Sequence, residues 1–375
     1  MTHSSRSNGK KKQTKFPLTL HSSGQYRKKI RGKAHYFGTD PDKALKRWLH
    51  EKDDLLAGRL PRPFEGDKCT LRELCNAFLT DRKAKRDAGE LAPRSFSDYF
   101  ECCERLLNGL GKNTIVEEIR PDNLLAYRRK LAKTLSPTSL GNEVNRAKII
   151  LRFAFDGGLA DTPIRFGSFK APSKSILRRQ RAEAPPKMFE RAEILTLIEA
   201  ADVQLESMIL LGINCGFGNG DVGRLPVAKL DLDSGWVDWP RPKTGITRRC
   251  PLWPETVKAL KAALAVRKRD DDRLVFRTAR GNSWFVEDSR SNPLSQKFTK
   301  LQKELGIYRS GRAFYALRHT FQTIADETID GLAVKHIMGH LDSSMSAAYR
   351  ERFPDKRLLD VSEHVRTWLY EGGVA

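Results

Sequence analysis

Ala316-Leu317-Arg318-His319-Thr320-Phe321, Met338-Gly339-His340 and Ala347-Ala348-Tyr349-Arg350 are the three runs on which the reading of this chain turns. They bring an arginine, two histidines and a tyrosine within 349 − 318 = 31 positions. An arginine presents a planar fork that grips two phosphate oxygens at once. A histidine exchanges its proton near neutral pH, and a tyrosine hydroxyl can attack phosphorus. Tyr349 stands outside any apolar stripe and is not read as a core residue. These are the parts of a phosphoryl-transfer site.

The balance of charge points to a polyanionic partner. With 68 Lys+Arg against 46 Asp+Glu, the 375-residue chain carries a formal charge of +22. Such an excess is an argument about partners and not about fold. Acidic residues remain plentiful and apolar residues make up 39% of the chain, so it reads as globular domains. The length allows two or three of them. The six cysteines form no Cys-x-x-Cys pair and have no histidines at zinc spacing, so reduced thiols and no metal are expected. No apolar run approaches a membrane span and no signal-peptide core is evident. A soluble, cytoplasmic protein is expected, with no membrane contact.

Working outward, the expected fold class is mainly α with small β elements. Residues 1–15 read as a disordered basic arm. Residues 16–61 contain three short β-type runs, with Ser-Gly and Arg-Gly turns between them, then a helix capped by Thr39 or Asp40. That helix carries Ala44, Leu45, Trp48 and Leu49 on one face. Arg27, Lys28, Lys29, Arg31 and Lys33 lie on this ribbon with Tyr26 and Tyr36 among them, a composition suited to a DNA groove. Residues 68–162 read as a helical domain over Thr70–Arg86, Pro93–Leu107, Arg120–Leu131 and Thr138–Gly157. Residues 163–187, with four prolines and Arg178, Arg179 and Arg181, read as an extended basic linker. Residues 188–375 form the last domain. It ends in a helix over Asp355–Tyr370 that either folds back or docks into a neighbouring copy.

Cutting a DNA strand without a metal needs a nucleophile, stabilisation of the charge at phosphorus, and an acid for the departing oxygen. Residues 187–352 resemble the catalytic domain of the tyrosine recombinase, or phage integrase, family. The three runs stand in that family's order, with the family's spacing of 349 − 340 = 9. The resemblance implies that Arg318 grips the scissile phosphate, His340 bonds it and handles protons, and Tyr349 forms a 3′-phosphotyrosyl link. Trp236–Trp239 and Thr247–Leu252 read as strands flanking Pro242-Lys243-Thr244-Gly245. Lys243 there resembles the family's catalytic lysine, which protonates the leaving 5′ oxygen. The N-terminal ribbon resembles an arm-type DNA-binding domain, and residues 68–162 a core-binding domain. A homotetramer on double-stranded DNA is implied, with no cofactor.

Two positions depart from the family's pattern. Tyr315 stands where a histidine is frequent, and a tyrosine still donates a hydrogen bond. More serious is Cys215-Gly216-Phe217-Gly218-Asn219-Gly220-Asp221, where Asp221 matches an acidic position and Gly218 occupies that of the family's first arginine. Losing one transition-state donor typically costs about 10²–10³ in rate. Three alternatives stand open. Another cation takes its place, from Arg224, Arg248, Arg249 or the linker arginines. Asn219 and backbone N–H groups serve as neutral donors. Or the chain is an impaired relative that binds DNA as an accessory protein.

Overall fold

Arg31 and Gly32, both at positive φ (48° and 84°), make the tight turn of a β-hairpin in the N-terminal part of the chain. β1 (Thr19–Leu20), β2 (Tyr26–Ile30) and β3 (Lys33–Tyr36) form an antiparallel sheet in that order. The computed structural model describes residues 16–59, 61, 68–267, 273–289, 292–342, 344–345, 349–350 and 352–372. The expected basic arm, residues 1–15, lies outside them. α1 (Pro41–Ala57) begins at Asp40, whose carboxylate accepts the Lys43 N–H at 2.8 Å. Ala44, Trp48 and Leu55 bury against Leu18, Ile30 and Phe37. Leu49, expected on that face, is 51% exposed, because it lies about 100° round the helix from Trp48.

The next domain is built from α2 (Leu71–Asp87), α3 (Pro93–Leu110), α4 (Pro121–Ala132) and α5 (Pro137–Asp156). Thr70 and Glu73 close a reciprocal capping box at the start of α2, and proline opens each of the other three helices. The apolar stripes meet in a core that includes Leu74, Phe78, Leu106, Leu124, Val144 and Leu151. Phe169 is also fully buried in that core, so the first part of the expected linker packs with the helices.

The linker itself is not extended throughout. Lys174–Glu183 forms α6, with no buried residue. Its sequence lacks glycine, proline and an apolar stripe. Good helix formers such as Leu177, Arg178, Arg179, Gln180 and Arg181 favour its conformation, and Thr138 of α5 donates to the Gln180 side chain.

The chain divides between residues 183 and 184 into two units. The second contains α7 (Arg191–Ala200), α8 (Val203–Asn214), α9 (Asn219–Gly223), β4 (Leu230–Asp231), β5 (Trp236–Asp238), β6 (Arg249–Pro251) and α10 (Pro254–Ala265). α11 (Pro293–Glu304), α12 (Ala316–Ala325), α13 (Gly331–Met338) and α14 (Asp355–Glu371) complete it. α8 is buried on nearly all sides, as its almost uninterrupted apolar sequence requires. β4, β5 and β6 form an antiparallel sheet in sequence order, the expected hairpin among them.

α14 folds back on its own domain. Leu358, Val361, Val365 and Leu369 are fully buried in the domain's core. The Trp253 Nε1–H donates to Ser362 Oγ at 2.9 Å, and Arg366 binds Glu255 with both its Nε and Nη2. Of the two expected arrangements of this helix, the structure shows the one within the chain. All six cysteines are buried and unpaired. No helix among the described residues is long and apolar enough to cross a membrane.

Candidate active site

Arg318 sits on the first turn of α12, 2% exposed. α12 comes close to α8 because residue 212 is a glycine. A Cβ there would lie 2.8 Å from Leu317 Cδ1 and 3.2 Å from Leu317 Cβ, so the Leu317 side chain would have to shift. The Arg318 guanidinium donates from Nη1 to the Gly216 carbonyl at 2.6 Å and from Nη2 to the Met338 carbonyl at 2.7 Å. Nη2 also lies 2.8 Å from His340 Nε2. Three of its five N–H groups are thus engaged. Nε–H and the second Nη1 N–H have no partner among the described residues.

His340 follows directly on the end of α13. Gly339 takes φ +61° there and caps the helix, and the His340 N–H donates to the Lys335 carbonyl at 2.9 Å. Burial, then the charges of Arg318 and Arg241, push the His340 imidazole down to about 4. It is therefore neutral at pH 7, its Nε2 lone pair accepting from Arg318 and its proton on Nδ1. Burial and then the charge of Arg241 also lower Arg318 from the usual arginine range, against the opposing influence of Tyr315 and Asp221. The site concentrates positive charge.

One consequence can be measured on the free protein. An unfolded histidine titrates near 6.5, so between about pH 6.5 and 4 the unfolded chain takes up a proton that folded His340 refuses. The stability contribution is present above 6.5 and is lost as the pH falls through that window. In His340→Gln the fall of Tm from pH 6.5 to 4 is expected to be shallower than in the parent. An unchanged slope would contradict a neutral His340.

Gly218 lies beside Tyr315. A Cβ at 218 would meet two Tyr315 ring carbons at 3.1 Å and Asp221 Oδ2 at 3.4 Å. The tyrosine ring thus occupies the space from which a longer side chain at 218 would start. The Gly218 N–H donates to Asp221 Oδ2 at 2.7 Å. The other oxygen of that carboxylate accepts from Arg248 Nη2 at 2.9 Å. Arg248 is 2% exposed, lies over the Phe217 ring at 4.0 Å, and donates from Nε to the Trp239 carbonyl. Its Nη1 is buried without a hydrogen-bond partner.

Two of the other cations considered for the vacant role are engaged elsewhere. Arg224 binds Glu287 and lies over Phe285. Arg249 binds Asp238 and Asp355. The Asn219 amide donates to Ser295 Oγ at 2.6 Å. Sequence reading passes over Arg241, which donates from Nη1 to the Gly339 carbonyl at 3.4 Å. Its one sequence signal is a place two residues before Lys243.

Lys243 is exposed on the turn closed by Thr244 and Gly245 N–H bonds to the Arg241 carbonyl. Tyr349 is 81% exposed. The chain is anchored on both sides of it, by an ion pair of Arg350 with Asp342 at 3.0 Å and by Phe353 stacked on His336 at 4.8 Å. The structure brings Arg318 and His340 into contact and packs Tyr315 over Gly218. It records no contact of Lys243 or Tyr349 with that group.

The N-terminal cations divide between the two faces of their sheet. Lys28 turns inward, donating to the Pro17 carbonyl at 3.1 Å and lying 4.5 Å over the Trp48 ring. Arg27 and Lys29 alternate with it and pair across the sheet with Tyr36 and Ala34. Lys33 pairs with Ile30 at the end of the hairpin, next to Arg31 in the turn. Arg178, Arg179 and Arg181 are exposed on α6. Among the described residues no three His, Cys, Asp or Glu side chains gather as a metal would require.

The buried Arg318 on a neutral His340 thus lies in a helical domain with a small antiparallel sheet. Residues 187–355 match the phage integrase family. No curated protein matches the chain by sequence. A lambda integrase dimer bound to a COC′ core site superposes with a TM-score of 0.60 at 16% identity, covering 92% of this chain and 99% of that one. A lambda integrase tetramer bound to a Holliday junction gives 0.59 at 17%, covering 91% and 97%. The Tn1549 transposon integrase in complex with a circular intermediate DNA gives 0.58 at 17%, covering 78% and 99%. At these identities the likeness is one of fold.

Proposed function

We propose that the protein is a site-specific recombinase that cuts and rejoins double-stranded DNA through Tyr349. The observation that carries this reading is the Arg318–His340 pair, a buried cation beside a neutral imidazole with two guanidinium N–H groups uncommitted. A scissile phosphate accepts those donors. As the bond from Tyr349 Oη to phosphorus forms, the bond from phosphorus to the 5′ oxygen breaks. The phenolic proton passes to the solvent that reaches the exposed Tyr349 hydroxyl, the neutral His340 bonds the phosphate through its Nδ1–H, and Lys243 protonates the departing 5′ oxygen. The 3′-phosphotyrosyl ester keeps the energy of the broken bond, so a second 5′-hydroxyl can reverse the step.

The N-terminal units hold the duplex. Arg27, Lys29, Arg31 and Lys33 belong to an arm-type DNA-binding domain, residues 16–61. Residues 68–162 form the core-binding domain, and Arg178, Arg179 and Arg181 meet phosphates from the segment that follows. Tyr315 serves as a further hydrogen-bond donor at the phosphate. The working form is a homotetramer on DNA, by analogy of fold with the lambda integrase tetramer bound to a Holliday junction. Six buried, unpaired thiols suit the reducing cytoplasm.

The test uses the full chain and a duplex carrying its own recombination site, nicked so that the cleaved end diffuses away. A DNA–protein adduct stable to detergent is expected. Tight, site-specific binding without any adduct would replace this reading with that of an accessory DNA-binding protein.

A further inference from the structure

We propose that Arg241 supplies the second guanidinium at the scissile phosphate, in place of the one absent at Gly218. The inference rests on the recombinase reading above. Its basis is the turn Met338-Gly339-His340, around which three arginines gather. Arg318 donates to the Met338 carbonyl at 2.7 Å and Arg241 to the Gly339 carbonyl at 3.4 Å. A Cβ added at Gly339 would lie 3.0 Å from Arg241 Cβ, 3.3 Å from Arg248 Cδ and 3.4 Å from Arg241 Cδ. Glycine at 339 therefore does more than cap α13. It lets the Arg241 stem lie against the turn that presents His340.

The three guanidinium groups differ in what they are free to do. Arg248 is fully enclosed and shares its charge with Asp221. Arg241 is half-buried, and among the described residues it has no carboxylate partner. Its hydrogen bond to Gly339 is long, close to the limit at which such a bond still counts. Two unneutralised guanidinium groups on adjacent carbonyls of one turn repel each other until an anion lies between them. A phosphate with two non-bridging oxygens supplies that anion, one oxygen for each fork. The position of Gly218 beside Tyr315 agrees with this, since the phosphate's second cation would come from the hairpin and not from the loop before α9. Arg241 makes and breaks no bond. It stabilises charge on a non-bridging oxygen while Tyr349 attacks and Lys243 protonates the departing oxygen.

The test compares two nicked duplexes, one with the natural phosphate at the cleavage position and one with a methylphosphonate there. The methylphosphonate lacks one charged oxygen and needs one cation fewer. On the phosphate substrate, Arg241→Ala is expected to slow adduct formation by about 10²–10³-fold, the usual loss for one transition-state donor. On the methylphosphonate the same variant is expected to approach the rate of the parent. Arg241→Lys, which keeps the charge and loses the fork, should fall between on phosphate and guards against a folding defect in the alanine variant. Equal deficits on both substrates would mean that Arg241 is only structural and would overturn the proposal. Methylphosphonate rescue of Arg248→Ala in place of Arg241→Ala would overturn it in favour of Arg248. If the unaltered protein forms no adduct on either duplex, the recombinase reading itself fails.

Discussion

Tyr349→Phe is expected to abolish the covalent adduct completely while leaving the fold and DNA binding as they were. The change removes a single oxygen, and that oxygen is the proposed nucleophile, so no slower residual cleavage by the same route remains. Stability should stay within roughly 0.5 kcal/mol of the parent, as for surface substitutions generally, because residue 349 is 81% exposed. The anchors beside it are untouched, since Arg350 keeps Asp342 and Phe353 keeps His336. Such exposure is unusual for a tyrosine with a packing role, and it suits one that must reach a phosphate. The measurement pairs a detergent-resistant adduct assay with a gel-shift titration on the same duplex. Adduct formation by Tyr349→Phe would transfer the nucleophile to another side chain. A parallel loss of binding would give Tyr349 a structural role.

The three sequence runs are legible because each sits where local structure displays it: Arg318 on the first turn of a helix, His340 just past a glycine-capped end, and Tyr349 outside any stripe. The vacancy at Gly218 is legible for the same reason. What the sequence does not show is which cation stands near Arg318 and His340, because that depends on a hairpin meeting the end of α13. Arg248 and Arg249 read as one basic pair. Strand alternation, period two, sends Arg248 into the core on Asp221 and Arg249 outward to Asp238 and Asp355. The same alternation separates Lys28 from Arg27 and Lys29, and it is a pattern that sequence alone can supply. The helix at Lys174–Glu183 is harder to read, since it buries nothing and so carries no pattern. Tyr315 reads as a mild replacement, and only the backbone shows that its ring and the missing side chain at 218 compete for one space.

Asp221→Ala is expected to destabilise the catalytic domain by about 3–5 kcal/mol, the usual loss when one partner of a buried ion pair is removed. Arg248 has a side-chain exposure of 0% and already carries one Nη1 group without a partner. Removing the carboxylate would leave its full charge enclosed, and the Gly218 N–H would lose its acceptor as well. For a domain of this size the loss corresponds to a fall in Tm of roughly 6–20 °C, measurable by thermal unfolding of the full chain. Arg248→Met in the Asp221→Ala background should recover most of it, since an apolar side chain can lie over Phe217 where the guanidinium does now. A double variant no more stable than Asp221→Ala alone would show that the two residues do not answer each other. The pair thus bears on the vacancy directly. Asp221 is held by Arg248 on one oxygen and holds Gly218 with the other, so the loop before α9 is fixed under Tyr315 without an arginine of its own. Arg248, at the edge of β6, thereby fixes through Asp221 the loop that carries Gly218.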